Sequence, residues 1–327
     1  MAKYLVTGAA GFIGRSIAAA LLSKGERVRG IDNFSNGKRE NLVGLERMEF
    51  IEADIRNPEA CRTACEGVEV VFHEAAMASV PRSVNDPVAS NDSNVNGTLQ
   101  MLLAARDAKA RRFIFAGSSS VYGDAPTLPK HEEMPANPIS PYAVAKLAGE
   151  LYLKSFYRVY GLEGVALRYF NVFGPYQDPL SQYSGVLAQF TLKMLRGEVP
   201  TVFGDGKQSR DFTYIENVVH GNLLAAHAPA ADVAGKVMNV ATGSRITLND
   251  TVKLLRELTG YTGEVKYGPE RTGDIKHSLA DISLAAKCLA YTPQVQFKEG
   301  LRRTVEWYKA SMGQEKTKAV PGAKPGT

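Results

Sequence analysis

The chain has 327 residues, of which 44% are hydrophobic and 22% are charged, and its formal net charge is +5. This composition is ordinary for a globular protein; the mild charge gives no reason to expect a nucleic-acid partner, and no apolar run is long enough for a membrane. The start, MAKYLVTGAAGFIG, predicts a strand rather than a signal peptide, and three cysteines cannot form a disulfide framework, so we expect a cytoplasmic protein with reduced thiols.

The first half of the chain alternates short apolar runs with amphipathic stretches. The apolar runs predict strands at Lys3–Thr7, Arg27–Asp32, Glu49–Ala53, Val68–Ala76, Arg112–Ser118 and Val165–Asn171. Helices are predicted between them, near residues 12–23, 57–66, 90–109 and 141–160. Because the strands are apolar on both faces, the pattern predicts an α/β fold with a doubly wound parallel sheet, a Rossmann arrangement.

After residue 172 glycine, proline and aromatic loops become frequent, with helices predicted near 185–196, 215–228, 247–259 and 298–311. We expect a first domain of residues 1–171, to which a segment around 213–243 returns. Residues 172–312 form a smaller C-terminal α/β region, and the Lys-, Gly- and Pro-rich tail 313–327 is predicted to be disordered.

A glycine-rich turn follows the first predicted strand and opens a helix. Gly8, Gly11 and Gly14 allow a tight turn and a close approach of the backbone to a pyrophosphate, and the helix N-terminus offers unpaired N–H groups. The spacing is GxxGxxG, and the alternative is a glycine turn without a ligand. The strand–turn–helix context favours a dinucleotide.

Two carboxylates follow the next strands. Asp32 ends the second strand, where it is placed to accept hydrogen bonds from an adenosine ribose and to repel a 2′-phosphate, which favours NAD over NADP. Asp54 and Ile55 close the third strand, where an adenine would lie. The alternative for Asp54 is a helix N-cap before Pro58.

The fourth strand ends in Glu74-Ala75-Ala76, whose small alanines leave room for a flat cofactor. Asn94 lies on the long helix that follows, and a core or interface role for it is an open alternative to a cofactor contact.

Tyr142 and Lys146 are four residues apart in SPYAVAKLAGELY and therefore share one face of a predicted helix. An ammonium beside a phenol favours the phenolate, which is a base for an alcohol proton. Ser118, in the run GSSSVYG at the end of the fifth strand, is placed to bridge a substrate hydroxyl and the phenol. The three serines in that run are also compatible with a simple turn.

Together these segments resemble an extended short-chain dehydrogenase/reductase of the UDP-hexose 4-epimerase type. The match runs from about Lys3 to Tyr308 through GAAGFIG, HEAAMASVPRS, SSSVYG, YAVAK, RYFNVFGP, SRDFTYI and RTGD. The resemblance implies NAD as the cofactor, a UDP-sugar as the substrate and a homodimer formed through the two long helices near 90–109 and 141–160.

The resemblance also assigns residues to roles. The catalytic residues are Ser118, Tyr142 and Lys146. The expected cofactor-binding residues are Gly8, Gly11, Phe12, Ile13, Gly14, Asp32, Asn33, Asp54, Ile55, Ala75, Ala76, Asn94, Ser118, Tyr142, Lys146 and Tyr169. The expected substrate-binding residues are Ser79, Ser83, Ser118, Ser119, Tyr142, Asn171, Val186, Leu187, Thr201, Phe203, Arg210, Arg271, Asp274 and Ser278. Arg210 and Arg271 would clamp the diphosphate, because guanidinium groups pair with phosphates in a bidentate manner, although surface ion pairs are the alternative for an isolated arginine.

Ser278 concerns the choice of sugar. Glucose/galactose-specific bacterial members of the resembled family carry a tyrosine four residues after the aspartate of RxGD, and this chain has Ser278 there. The lost ring would leave room for an N-acetyl group at the sugar C2, and VPRSVNDP resembles members that act on N-acetylated UDP-hexoses. The alternative is that Ser278 points away from the sugar.

The predicted function is NAD-dependent 4-epimerisation of a UDP-hexose through a 4-keto sugar, with the UDP-N-acetylglucosamine/UDP-N-acetylgalactosamine pair favoured and UDP-glucose/UDP-galactose also considered. Dehydration is disfavoured, because Ser119 and Ser120 occupy the positions of the acidic pair that sugar-nucleotide 4,6-dehydratases carry. A UDP-uronate 4-epimerase, a sugar-nucleotide reductase and a non-catalytic NAD-binding protein are the alternatives. The five histidines form no metal-binding motif, so no metal is expected.

Overall fold

The computed structural model describes residues 2–179, 185–270 and 275–318, and for residues 314–318 it describes the backbone alone. Its strands are β1 Tyr4–Thr7, β2 Val28–Asp32, β3 Glu49–Glu52, β4 Val70–His73, β5 Arg112–Ser118, β6 Glu163–Tyr169, β7 Val172–Phe173, β8 Thr201–Phe203, β9 Ser209–Arg210, β10 Thr213–Tyr214, β11 Lys236–Val240, β12 Ile246–Thr247 and β13 Lys266–Gly268. Its helices are α1 Phe12–Ser23, α2 Pro58–Cys65, α3 Val80–Asn85, α4 Pro87–Asn91, α5 Gly97–Asp107, α6 Pro141–Tyr160, α7 Val186–Leu195, α8 Ile215–His227, α9 Ala230–Val233, α10 Leu248–Thr259, α11 Ser283–Leu289 and α12 Phe297–Lys318.

A parallel sheet of seven strands forms the centre, in the order β11-β6-β5-β4-β1-β2-β3. The chain runs outward from β1 to β3 and then returns past β1 to continue in the other direction from β4, so the predicted doubly wound fold is confirmed. Six of the strands had been predicted. The seventh, β11, lies within the segment that was expected to return to the first domain, and it pairs with β6 over five residues, Lys236 to Val240.

Both faces of the sheet are buried. One face packs against α1 and α8, and its core includes Val6, Phe72 and Leu167. The other face packs against α5 and α6, with α2 beside α5, and its core includes Phe113 and Phe115. Polar groups on the sheet are therefore confined to the strand ends, where a ligand can reach them.

The helix carrying Tyr142 has strong boundary signals. Ser140 is the N-cap and its hydroxyl accepts the backbone N–H of Ala143, Pro141 is the first helical residue, and Gly161 ends the helix with a positive φ of 73°. The positions of Tyr142 and Lys146 on one face of α6 follow from these local signals.

Several predicted helices differ from the observed ones. The expected helix near 90–109 is divided, because a π-helical segment, Asp92–Asn96, joins α4 to α5. The short helices α3, α4, α9 and α11 had not been recognised. The helix α12 continues to Lys318, beyond residue 313 where the tail was predicted to begin. The disorder of the tail stays a prediction.

The second region consists of short strand pairs. β10 pairs with β7, β12 with β9, and β13 with β8, and the helices α7, α10 and α12 contact one another beside them. We propose residue 172 as the boundary between the two regions. Among the helices of the described ranges, none combines the length and the apolar character that crossing a membrane requires.

Candidate active site

The glycine turn has a backbone shape that side chains would obstruct. Gly8 has a φ of 66°, and a Cβ there would lie 2.9 Å from the backbone nitrogen of Ala75. A Cβ on Gly14 would overlap the carbonyl oxygen of Gly8. Gly11 is the residue before α1, and Phe12 and Ile13 begin the helix and pack on the core. The turn thus presents backbone atoms at a helix N-terminus, a fit for a pyrophosphate.

Asp32 is buried at the end of β2, 8% exposed, and it holds the glycine turn. Its Oδ2 accepts the backbone N–H of Ala10 at 3.0 Å and its Oδ1 accepts that of Phe34 at 2.8 Å. Burial raises the pKa of this carboxyl, and the backbone donors oppose the rise. A carboxylate can accept more hydrogen bonds than these two, so a ribose hydroxyl is a chemically suitable further donor to Asp32.

Asp54 is bound to its neighbours. It pairs with Arg56 at 2.8 Å and accepts the side-chain amide of Asn33 at 2.8 Å. The hydrogen bond from Arg56 lowers the pKa of Asp54 to about 2. The alternative of a helix N-cap is wrong, because Asn57 accepts the first N–H groups of α2. Ile55 is buried behind it and packs close to Gly97.

Hydrogen bonds from β1 and from the π-helical segment hold the chain that follows β4. The backbone N–H of Ala75 donates to the hydroxyl of Thr7 at 3.1 Å, and Ala76 follows, partly buried. Asn94 accepts the N–H of Met77 at 2.7 Å and donates to its carbonyl at 3.3 Å. Asn94 is 2% exposed, so these contacts favour the core role that had been its alternative.

A fully buried histidine supports this strand end. The Nδ1 of His73 lies 3.0 Å from the Thr7 hydroxyl and its Nε2 lies 3.0 Å from the Thr98 hydroxyl. Because the Thr98 hydroxyl donates to the carbonyl of Asn94, we assign the proton of the ring to Nε2. Burial lowers the pKa of His73 to about 3, so the ring is neutral.

Ser118, Tyr142 and Lys146 meet at the end of β5. The hydroxyl of Ser118 is close enough to the Tyr142 phenol to lower its pKa, and it accepts the backbone N–H of Ser120 at 3.2 Å and the Ser120 hydroxyl at 2.9 Å. Lys146 donates to the carbonyl of Ala116 at 2.8 Å, and its Nζ lies 5.8 Å from the centre of the Tyr142 ring. The structure therefore brings the three predicted catalytic residues together.

The ionisation of Tyr142 differs from expectation. The sequence predicted that Lys146 would favour the phenolate. In the structure burial raises the pKa of Tyr142 to about 12, and the Ser118 hydrogen bond only partly opposes this. Burial also lowers the pKa of Lys146, although the carboxylates of Glu74 and Glu150 act against that fall. The cost of burying a phenolate therefore outweighs any stabilisation by the ammonium charge.

Two predicted substrate residues support local structure. Ser79 caps α3 by accepting the N–H of Arg82. Ser83 is fully buried; its hydroxyl donates to the carbonyl of Val80 at 2.7 Å and accepts the N–H of Tyr142 at 3.1 Å. Ser83 thus fixes the first turn of α6 and, with it, the position of Tyr142.

Sequence reasoning missed the polar chain beside Tyr169. The Tyr169 hydroxyl donates to Glu74 Oε1 at 2.9 Å and accepts the side-chain amide of Asn222 at 2.8 Å. Burial raises the pKa of Glu74 to about 7, while Tyr169 and Lys146 lower it. The signal that could have identified this group was an acidic residue at the end of an otherwise apolar strand.

The predicted substrate residues lie beyond β6. Asn171, with a φ of 36°, donates to the carbonyl of Asp211 at 2.9 Å and to the Ser278 hydroxyl at 3.3 Å. Ser278 is therefore beside Asn171, next to the end of β6. Arg210 donates to the carbonyls of Ser209 and Lys276. Ser119 directly follows Ser118. Val186 and Leu187 are the first two residues of α7, and Thr201 and Phe203 are the first and last residues of β8. Arg271 and Asp274 lie outside the described residues.

Asp211 organises this second group. It is fully buried and accepts the N–H groups of Thr242, Gly243 and Ala280 at 3.0 to 3.2 Å. Its carboxylate ties β9 to the segment that carries Ser278. In the ranges that the structure describes, no cluster of three His, Cys, Asp or Glu side chains has an arrangement suited to a metal ion.

Comparisons with known proteins agree with this geometry. Residues 4–241 match the family model described as the NAD dependent epimerase/dehydratase family. The UDP-glucose 4-epimerase of Mycolicibacterium smegmatis is 39% identical, with 94% of this chain and 98% of that protein covered. The UDP-glucuronate 4-epimerase of Thermodesulfobacterium geofontis is 35% identical, with 95% and 98% covered.

A solved structure extends the similarity to three dimensions. The UDP-N-acetylglucosamine 4-epimerase from Methanobrevibacter ruminantium, in complex with UDP-N-acetylmuramic acid, is 42% identical. It superposes with a TM-score of 0.90 over 95% of this chain and 99% of the other. The three proteins differ in the sugar that their names carry.

Proposed function

The chain belongs to the NAD dependent epimerase/dehydratase family, and we propose that it interconverts the C4 epimers of a UDP-hexose. The observation that carries the proposal is the meeting of Ser118, Tyr142 and Lys146 at the carboxyl end of β5, two strands from the glycine turn that follows β1. NAD is the cofactor of this family. The backbone of Gly8, Gly11 and Gly14 fits its pyrophosphate, and Asp32 fits its adenosine ribose.

The residues of the chain have distinct tasks in this reaction. Bound NAD supplies the group that takes a hydride from the sugar C4 and returns it. Tyr142 removes the proton from the C4 hydroxyl, and Ser118 aligns that hydroxyl. Lys146 holds a positive charge near the phenol. The flat 4-keto sugar then presents its other face, and Tyr142 returns the proton, so one base serves both directions.

For the sugar, we propose the UDP-N-acetylglucosamine/UDP-N-acetylgalactosamine pair. Ser278 supports this choice, because its side chain is small and lies beside Asn171, close to the end of β6. The 42% identity to a UDP-N-acetylglucosamine 4-epimerase is a further support. The UDP-glucose/UDP-galactose pair is the second candidate because of the relative that is a UDP-glucose 4-epimerase, and a UDP-uronate is the third because of the relative that is a UDP-glucuronate 4-epimerase.

We further propose that two copies pair through α4, α5 and α6. Val88 on α4 is 70% exposed, and Val144 and Leu151 on α6 are 52% and 58% exposed. Val144 and Ile139 also line an open groove of about 510 Å³ between α4 and the start of α6. An apolar face of this kind is typical of a surface that a partner covers. Light scattering would give the mass of a dimer, and Leu151→Glu would reduce it to that of a monomer.

The function is tested by offering the purified protein each UDP-sugar and separating the products by chromatography. An epimerase produces the C4 epimer from either member of a pair, without net change in absorbance at 340 nm. Steady consumption of reduced cofactor would indicate a reductase instead, and the absence of any product from all substrates would contradict the proposal.

A further inference from the structure

Glu74 lies at the end of β4, partly buried, and the mechanism above gives it no task. Its Oε1 accepts the Tyr169 hydroxyl at 2.9 Å, and that hydroxyl accepts the Asn222 amide at 2.8 Å. The carboxyl group is thus held from β6 and α8 together. Placing a carboxyl group among apolar strand ends costs free energy unless it is bonded in this way, so its presence calls for an explanation.

The register of the sheet places Glu74 beside the catalytic group. His73 is opposite Phe115, so Glu74 is next to Ala116, whose carbonyl accepts Lys146 at 2.8 Å. Ser118 is opposite Tyr169, the residue that holds Glu74. The charge of Glu74 acts on both Lys146 and Tyr142.

The other polar groups around Glu74 do not cancel its charge. From β4, His73 is neutral, and from β6 and α8, Tyr169 and Asn222 are uncharged. On α6, Glu150 is paired with Arg168 at 2.7 Å and its charge also acts on Lys146. Within the described residues, Lys146 is the cation whose charge acts on Glu74.

We propose that Glu74 is a positioning residue for the reaction: its carboxylate, held by Tyr169, sets the ease with which the Tyr142–Lys146 pair releases and recovers a proton. This inference deepens the proposed function and rests on it for its catalytic meaning. A nearby negative charge makes proton loss harder from an ammonium and from a phenol alike. The direction is therefore the same whether Lys146 or Tyr142 loses the first proton.

A carboxylate here makes the Tyr142 phenolate a stronger base. The phenolate must take the proton from the sugar hydroxyl, and a phenolate that is too stable would be too weak a base to do so. Glu74 thus favours the removal step, while Lys146, by stabilising the phenolate, favours the return of the proton to the sugar oxygen. The two opposite charges balance the pair for a reaction that runs both ways.

The test is a titration of Tyr142 by its tyrosinate absorbance near 295 nm. The chain has 14 tyrosines, so each spectrum is read against the same protein carrying Tyr142→Phe. Glu74→Gln keeps an acceptor for Tyr169 and removes the charge. We expect it to shift the onset of ionisation down by about one pH unit, the size of a single charge acting at close range in a partly buried site.

Two variants separate charge from packing. Glu74→Asp keeps the charge and should restore the original curve to within about 0.3 pH unit. Glu49→Gln removes an exposed carboxylate at the amino end of the sheet, where it pairs with Arg29, and should leave the curve unchanged. A Glu74→Gln curve that coincides with the original or moves upward overturns the proposal, as does an equal shift with Glu74→Asp.

The titration needs no turnover, so it separates this inference from the proposed function. If the protein epimerises a UDP-sugar, the acidic limb of its kcat–pH profile should move down with Glu74→Gln, by less than the titration, because Glu74 with its pKa of about 7 is partly protonated there. A titration shift in a protein that epimerises none of the UDP-sugars would support the charge coupling and contradict the proposed function. If the enzyme is active and its kcat–pH profile does not move with Glu74→Gln, Glu74 has no part in the proton transfer of the reaction.

Discussion

The two sides of the candidate site are held together by different kinds of bonds. At the ends of β4, β5 and β6, side chains bond to one another, as in the group of Glu74, Tyr169 and Asn222. Around Asp211 and Asn171, side chains bond mainly to backbone atoms. Long parallel strands fix their side chains by register, whereas strands of two residues need a side chain to hold their backbone in place. A substitution at the ends of β4, β5 and β6, the first side, should therefore alter the reaction. A substitution around Asp211 and Asn171, the second side, should alter the backbone conformation.

The largest effect is expected from Tyr142→Phe. It removes the hydroxyl that exchanges the proton and leaves the packing of α6 unchanged, so kcat should fall by about 10³-fold or more. Calorimetric binding of the UDP-sugar should be nearly unchanged, with Tyr152→Phe, also on α6, as the matched control. Retained turnover in Tyr142→Phe would contradict the assignment of the reaction to the first side.

Asp211→Ala probes the second side. It leaves the N–H groups of Thr242, Gly243 and Ala280 without their buried acceptor, and we expect a loss of about 3 kcal/mol in the free energy of unfolding, measured with urea. Asp205→Ala, an exposed aspartate in the preceding loop, should leave the stability unchanged and serves as the control. Equal losses in the two variants would show that Asp211 does not hold the backbone.

His73 gives the first side a dependence of stability on pH. The pKa of about 3 in the folded chain is below the ordinary value, so the unfolded chain binds the proton first as the pH falls. The stability that comes from neutral His73 is complete above about pH 6.5 and decreases below it, by about 2 kcal/mol at pH 5.

Urea unfolding at pH 7 and pH 5 would measure this loss. His73→Gln cannot be protonated and should flatten that part of the profile, while the exposed His131→Gln should keep it. A profile that stays as steep in His73→Gln would assign the acid sensitivity to another group.

The smallest effect is expected from Ser278→Tyr. The ring would occupy volume beside Asn171, and we expect kcat/KM for UDP-N-acetylglucosamine to fall about tenfold relative to UDP-glucose. Lys276→Tyr, on an exposed neighbour, places the same ring outside the site. Equal changes for both substrates would show that Ser278 does not select the sugar.

The features predicted from the sequence depend on short spacings. The glycine turn and the Tyr142–Lys146 pair were predictable because strand, turn and helix follow one another within a few residues. The contact of Glu74 with Tyr169 was not, since it crosses from β4 to β6 over an intervening strand and depends on the register of all three. Asp211 was missed for a similar reason, because its partners are distant in sequence.

Local competition explains the smaller errors. Asp54 and Asn57 were both able to cap α2, and the side chain nearer to the first turn does so. The prediction that Lys146 favours the Tyr142 phenolate did not anticipate the burial that raises the pKa of Tyr142, because burial cannot be read from a spacing of four residues.

The central claim is that Tyr142 takes a proton from a hydroxyl oxygen and never from carbon. The most direct measurement is epimerisation in D₂O, followed by proton NMR of the product sugar. The account predicts full epimerisation with no deuterium at C4, because the hydrogen on that carbon does not exchange with solvent. Deuterium at C4 of the product would contradict it.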